Sequence, residues 1–287
     1  MKKTTLLVII TVILLAVIFS ISCGLIPGAS GEFYRDRVAV LIYHHIAQED
    51  GYSTITPARF EEHLDTLLSR GYNVITLTEF RAFLRGEAEV PPNAVLITFD
   101  DGYESFYQYA YPLLKKRGMS ATVFMIVRHV GAREDQIPKI DWPQMMEMIE
   151  QGMYFQSHSY DSHFYYFIDR EGNREAVLAA RLYLAEEGRN ETEEEYRARI
   201  YEDLRKSREL LEQGLGVHVD FFAVPYGKKN EIVDEIAKEV GLEYIFTVEP
   251  GLVSATSDPM NLPRIDAGVP WICGNRLHRL ILETSRN

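Results

Sequence analysis

The order of predicted elements makes this chain an α/β protein, a barrel of parallel strands with helices between them, in a single domain. Three observations carry that expectation. Short apolar runs recur along the chain: "VAVLIY", "NVITL", "AVLITF", "SATVFMIV", "YFQSH", "DFFAV", "YIFTV" and "NLPRI". Most are separated by stretches with helical spacing, and β-then-α alternation is the pattern of a parallel sheet. Polar motifs fall at strand ends, where (β/α) barrels build their sites, which favours a barrel over an open sheet. No internal repeat or second apolar core divides the 287 residues, and about 250 residues is a usual length for one such domain.

The chain begins "MKKTTLLVIITVILLAVIFSISCG", two lysines feeding an apolar stretch with no charge before Glu32. Residues 1–26 read as a membrane-targeting or anchor segment. Leu6 to Ile26 approaches the ~20 residues that span a bilayer, and Cys23, after Ser22 and before Gly24, resembles a bacterial lipoprotein processing site. An uncleaved helix and a lipidated Cys23 are both open, and either puts the globular part on the extracytoplasmic face. Residues 27–37 read as a Gly, Pro and Ser linker, and 38–287 as the globular domain. The net charge of −12 argues against a nucleic-acid partner, which would need a basic patch.

After "VAVLIY", Thr56 and Pro57 mark an N-cap and first turn, Phe60, Leu64, Leu67 and Leu68 follow at helical spacing, and Gly71 stops the helix. Further amphipathic stretches are "ESFYQYAYPLLKKRG", "WPQMMEMIEQG", "RARIYEDLRKSRELLEQ" and "KNEIVDEIAKEVG". Residues 164–195 interrupt the rhythm with mixed aromatic and acidic residues and read as an insertion. Its Tyr165, Tyr166 and Phe167 suggest a sugar-stacking platform or, more commonly for such a run, packing of the insertion itself.

"LITFDDGYES" sets Asp100 and Asp101 side by side at the end of an apolar strand, followed by Gly102. Successive strand side chains point to opposite faces, so the two carboxylates converge only where the chain turns, which Gly102 permits. Adjacent carboxylates ionise together only when a cation or a set of donors offsets their repulsion. "SHSYDSH" supplies ligands: His158 and His163, five residues apart, meet on a loop and on neither a helix nor a strand. Two histidines and a carboxylate with an open position make a catalytic metal site. The plain alternative is two surface histidines beside an unrelated turn.

"TFDDGY" and "SHSYDSH" resemble the first two motifs of the polysaccharide deacetylases, the NodB-like carbohydrate esterases, and "AVPYG" at 223–227 resembles their third, with matching order over residues 38–270. "VLIYHHI", "GYNVITLTEF" and "LPRI" are similar to the branch that deacetylates poly-N-acetylglucosamine. The resemblance implies a deformed barrel of about seven parallel strands, one divalent metal ion and hydrolysis of N-acetyl groups on a glycan. It makes Asp101, His158 and His163 the metal ligands and Asp100 the general base. It also makes the Tyr226 backbone N–H an oxyanion donor, with Pro225 and Tyr226 against the substrate. A His, His, Asp set suits zinc and equally cobalt, nickel, manganese or iron. Where the family's third motif usually begins with arginine this chain has Ala223, and Arg264, with Asp266, is the candidate to orient the base; a purely structural ion pair is the alternative.

Amide cleavage also needs a general acid. Candidates are His44, His45 and His278, while His63 and His129 are explained by a helical surface or a loop. "YHHI" ends the first strand, which in a closed barrel lies beside the last, and the "YH" pattern of the resembled branch selects His44, leaving His45 to the opposite face. The leading expectation is therefore a membrane-tethered, metal-dependent N-deacetylase of an acetylated polysaccharide. Alternatives are an O-acetyl (xylan-type) esterase and a catalytically silent glycan-binding protein on the same scaffold. A phosphoryl-transfer enzyme fits poorly, with no Gly-rich phosphate loop.

Overall fold

The computed structural model describes residues 31–133 and 137–286. The expected anchor, Cys23 included, lies outside them, and among the described residues no helix is long and apolar enough to cross a membrane.

Seven parallel strands form the body of the sheet: β1 (Arg37–Tyr43), β2 (Ala94–Phe99), β3 (Thr122–Met125), β4 (Tyr154–Ser157), β5 (Phe221–Ala223), β6 (Tyr244–Phe246) and β7 (Ile265–Asp266), with two-residue strands Asn73–Val74, parallel to β2, and Val253–Ser254, antiparallel to β1, added at its margins. The seven lie in the order β6, β5, β4, β3, β2, β1, β7, so the last strand returns beside the first, in register Leu41↔Ile265 and Ile42↔Asp266. Closure is thin. Among the described residues β6 and β7 share no strand pairing, and the edges meet through an isolated parallel bridge, Phe246↔Leu262, just ahead of β7, which makes this the expected barrel in deformed form.

Alternation along the strands divides the core. Ala39, Leu41, Val95, Ile97, Phe99 and Val123 pack outward against the helices, whereas Val38, Val40, Leu96, Phe124, Phe221 and Phe246 fill the interior with Phe80 and Leu262. Extending this parity one step beyond β2 turns Asp100 inward, above that apolar plug.

Helix Pro57–Arg70 begins at Thr56, whose hydroxyl accepts from the Arg59 N–H at 3.2 Å, and ends at Gly71 with φ 77°. Leu68, expected on its buried face, is exposed. His63, expected on its surface, is fully buried, with Nδ1 3.1 Å from the Tyr43 hydroxyl and Nε2 2.8 Å from the Ile272 carbonyl. Burial pushes its pKa down to about 4. A depressed histidine pKa means the unfolded chain binds the proton better. The stability contribution is therefore full above pH ~6.5 and is lost as pH falls toward 4, by roughly 3 kcal/mol. Urea titrations across that range should show a shallower acid limb for His63→Gln than for wild type; parallel limbs would remove His63 from the account.

The run at "NVITL" is strand only over Asn73–Val74, because Thr76 caps a helix over Leu77–Leu84 through a capping box with Glu79. The insertion is two small antiparallel ribbons, Tyr165–Phe167 with Arg174–Ala176 and Tyr183–Leu184 with Arg189–Asn190. It ends sooner than expected, since Thr192 caps the long helix Glu193–Leu215.

Candidate active site

Asp100 and Asp101 diverge within one turn. The Asp100 N–H still pairs with the Tyr43 carbonyl at 2.9 Å, and then Asp101 and Gly102 both take left-handed backbone, φ 71° and 64°. Aspartate tolerates this conformation at a cost on the order of 1 kcal/mol. At Gly102 a β-carbon would sit 2.6 Å from the Met125 Sδ, so a larger residue would also displace that side chain. Lys139, buried, holds the turn by donating to the Asp101 carbonyl at 2.9 Å while its ammonium lies 3.6 Å from the Tyr103 ring centroid.

His158 leaves the end of β4. Its Nδ1 lies 2.6 Å from the Ala223 carbonyl, which only accepts, so Nδ1 carries the proton and Nε2 presents a lone pair. Ser159, with φ 75°, reverses the chain and brings His163 back. The loop is clamped by Asp203, on the helix Glu193–Leu215, whose carboxylate accepts from the Tyr160 and Asp161 N–H groups at 3.0 and 2.8 Å. His158 Nε2 and His163 Nε2 then stand 3.3 and 3.2 Å from Asp101 Oδ1.

That oxygen is buried and has no hydrogen-bond partner. A carboxylate oxygen in such a place costs several kcal/mol unless something positive occupies the space before it, and here its neighbours are two imidazole nitrogens. Burial by itself would raise the Asp101 carboxyl, yet His158, His163 and His44 hold it well below the usual carboxylate range. Burial would likewise lower His158, but Asp100 and Asp101 hold it up. The field that favours a proton at this point favours a cation. Asp101, His158 and His163 offer donor atoms all within 4.8 Å of one another, a set that fits a divalent metal.

Asp100 faces the interior and not the histidine pair. Both its oxygens accept from Arg264, Nη1 and Nη2 each at 2.8 Å, and Arg264 also donates through Nε to the Thr247 carbonyl at 2.9 Å. Arginine and aspartate are both buried. Burial would raise the Asp100 carboxyl, but Arg264, then His158, keep it below its usual range. Asp266, the suggested companion, instead caps the Gly268 N–H at 3.1 Å.

The turn Pro225–Gly227 places Tyr226 at φ 60°. Its hydroxyl donates to the His163 carbonyl at 3.0 Å and its ring centroid is 4.4 Å from that of His163. Gly227 and Lys228 take the Val224 and Pro225 carbonyls, and among the described residues no acceptor takes the Tyr226 N–H. Pro225 beneath it is buried.

His44 follows β1 at the same end of the barrel, its buried Nδ1 without a partner, and it is close enough to Asp100 and Asp101 to lower both. His45 turns away, with Nδ1 2.8 Å from the Ser105 hydroxyl and its ring 5.0 Å from Tyr103. His278 lies at the opposite end: its Nδ1 is 2.9 Å from the Tyr72 hydroxyl and its ring packs on Phe33, ahead of β1. That position removes it as an acid for this site.

The family model for polysaccharide deacetylase matches residues 87–245. The chain belongs to the polysaccharide deacetylase family. It is 29% identical over 231 residues to the poly-β-1,6-N-acetyl-D-glucosamine N-deacetylase of Escherichia coli (strain K12), covering 76% of this chain and 34% of that one. The enzyme of the same name from Staphylococcus aureus (strain MRSA252) is 30% identical over 214 residues, 74% of this chain and 67% of that one. This family member thus spans about a third of the first relative's length and two thirds of the second's. Among solved structures, the BpsB deacetylase domain from Bordetella bronchiseptica superposes with a TM-score of 0.72 at 27% identity, over 83% of this chain and 97% of that one. His44 and Arg264 lie outside the segment the family model matches.

Sequence reasoning missed three supports of this deacetylase-family site: the Asp203 clamp, the Lys139 contact and the Ala223 carbonyl. Each acts across at least 38 residues of chain, and none carries a local pattern.

Proposed function

We propose that this protein is a metal-dependent N-deacetylase of an N-acetylglucosamine polymer, of the poly-β-1,6 kind, and that its N-terminal segment holds it at the outer face of the membrane. The observation that carries the reading is the partnerless Asp101 Oδ1 between two imidazole nitrogens, with a second carboxylate, Asp100, held separately by Arg264. The substrate class comes from the two relatives whose names state it.

Asp101, His158 and His163 would hold a divalent ion, which would supply Lewis acidity and make a water molecule more acidic at the site. The remaining work falls to the chain. Asp100, kept ionised and fixed in orientation by Arg264, accepts the proton of the attacking water. The Tyr226 N–H donates to the acetyl oxygen as negative charge develops there. His44 delivers a proton to the departing nitrogen, without which an amine is a very poor leaving group.

Acetate release by the full chain in detergent, supplied with zinc, cobalt, nickel, manganese or iron in turn, tests this. β-1,6-linked N-acetylglucosamine oligomers should be cleaved faster than chitooligomers, peptidoglycan or acetylxylan. Turnover of acetylxylan alone would make the protein an O-acetyl esterase, and none on any substrate would make it a binder. His44→Ala should lose ~10²-fold or more on the amide and far less on an aryl acetate, whose leaving group needs no proton; equal losses on both would end the acid assignment. The anchor reading expects the full chain in the membrane fraction, with a lipid-sized mass that disappears in Cys23→Ala if that cysteine is lipidated. Recovery of the intact chain in the soluble fraction would contradict it.

A further inference from the structure

The four residues after His163, "FYYF", are not packed inside the insertion: Phe164, Tyr165, Tyr166 and Phe167 are each between 38% and 44% exposed. They open the ribbon Tyr165–Phe167 with Arg174–Ala176, on which alternate side chains face opposite ways. Phe164 and Tyr166 share one side, their centroids 6.3 Å apart. Tyr165 and Phe167 take the other. Tyr165 lies 4.7 Å from the Tyr226 ring, which itself lies 4.4 Å from His163. Aromatic rings therefore run in contact from a candidate metal ligand through Tyr226 to Tyr165 on the ribbon, with Phe167 two residues further on the same side.

Contiguous exposed apolar surface marks a binding surface, and here its continuity with the candidate site indicates the occupant. A polymer presenting one acetamido group to Asp101, His158 and His163 must lay its neighbouring sugar rings on adjoining surface, and the C–H face of a pyranose suits an aromatic face. Charge agrees. Among the described residues the cation stacked on the ribbon's rings is Arg174, over Phe167 at 5.2 Å, and the chain's net charge of −12 disfavours an anionic lipid surface, which attracts basic patches. A neutral glycan meets no such repulsion.

We infer that Tyr226, Tyr165 and Phe167 form a subsite ridge on which the N-acetylhexosamine units flanking the reacting one stack. The inference rests on the proposed N-deacetylase reading, because it takes the same polymer as ligand. It makes Tyr165 a residue that sets preference for chain length.

The test is kcat/KM for acetate release from β-1,6-linked N-acetylglucosamine dimer through pentamer, with pentamer binding followed by calorimetry, on the full chain. Wild type should gain with length. Tyr165→Ala should cut that gain about tenfold, Tyr165→Trp should restore it, and Tyr166→Ala, on the far side, should leave it in place. Equal losses on dimer and pentamer in Tyr165→Ala would mean that the tyrosine only props Tyr226, and the ridge would be wrong. It would also be wrong if the gain survived while retention on lipid vesicles fell. Wild type that binds pentamer through Tyr165 but releases no acetate would end the deacetylase reading and leave the ridge standing.

Discussion

Alanine at His158 or His163 is expected to abolish metal binding and acetate release together, whereas Asp100→Asn should retain the ion and lose ~10² to 10⁴ in rate. The two carboxylates are adjacent in sequence but occupy different surroundings: Asp101 Oδ1 faces two imidazoles at 3.3 and 3.2 Å, while both oxygens of Asp100 are taken by Arg264. Removing either histidine leaves two donors of three, too few for a catalytic site of this type. Asparagine at Asp100 keeps the shape but has no anion to accept a proton. Elemental analysis beside turnover separates the cases. Asp100→Asn protein that loses the ion as completely as Asp101→Asn would show that both carboxylates are ligands.

Arg264→Met should be the most destabilising substitution of the group, by about 3–5 kcal/mol, because it strands the Asp100 carboxylate in the barrel interior without a counter-charge. Both partners are buried, and the guanidinium lies 5.9 and 5.7 Å from the Phe124 and Phe246 rings. For a domain of this size that corresponds to a fall in melting temperature of about 10 °C. Turnover should fall too, since an unpaired Asp100 is no longer a fixed, ionised base. The double variant Asp100→Leu with Arg264→Met should recover most of the stability and none of the activity, as buried ion pairs are often replaced by apolar residues at little cost. If Arg264→Met melts within about 1 °C of wild type, water reaches Asp100 and the pair is not what fixes the base.

Much of this was legible from local pattern. The strands declare themselves because both faces are buried, so "AVLITF" is buried throughout and apolar except for Thr98. Thr56 and Gly71 mark helix ends through chemistry confined to one turn, whereas the cap at Thr192 was passed over inside the expected insertion. The candidate ligands were legible for a different reason: Asp101 closes a strand, and His158 and His163 share a seven-residue motif. Errors arose where neighbours distant in sequence decide exposure. His63 is buried because Tyr43 and the Ile272 carbonyl, one strand away and 209 residues downstream, accommodate its polar ring. "FYYF" is aromatic throughout yet exposed, its rings 38–44% open on a two-stranded ribbon outside the main sheet.

By itself, the sequence determined the alternation of strands and helices, the turn after β2, and the two motifs that hold an Asp, His, His set, since these rest on periodicity, backbone freedom and residue chemistry within a few positions. Only the tertiary structure decided which histidine shares the site and what Asp100 pairs with. Arg264 reaches Asp100 across 164 residues because β7 returns to lie beside β1, and that same closure sets His44 at the site's end of the barrel and His278 at the other. Hydrogen-bond register between first and last strands is a property of the closed sheet, set by the fit of all seven strands around one apolar interior, and no stretch of either strand records it alone.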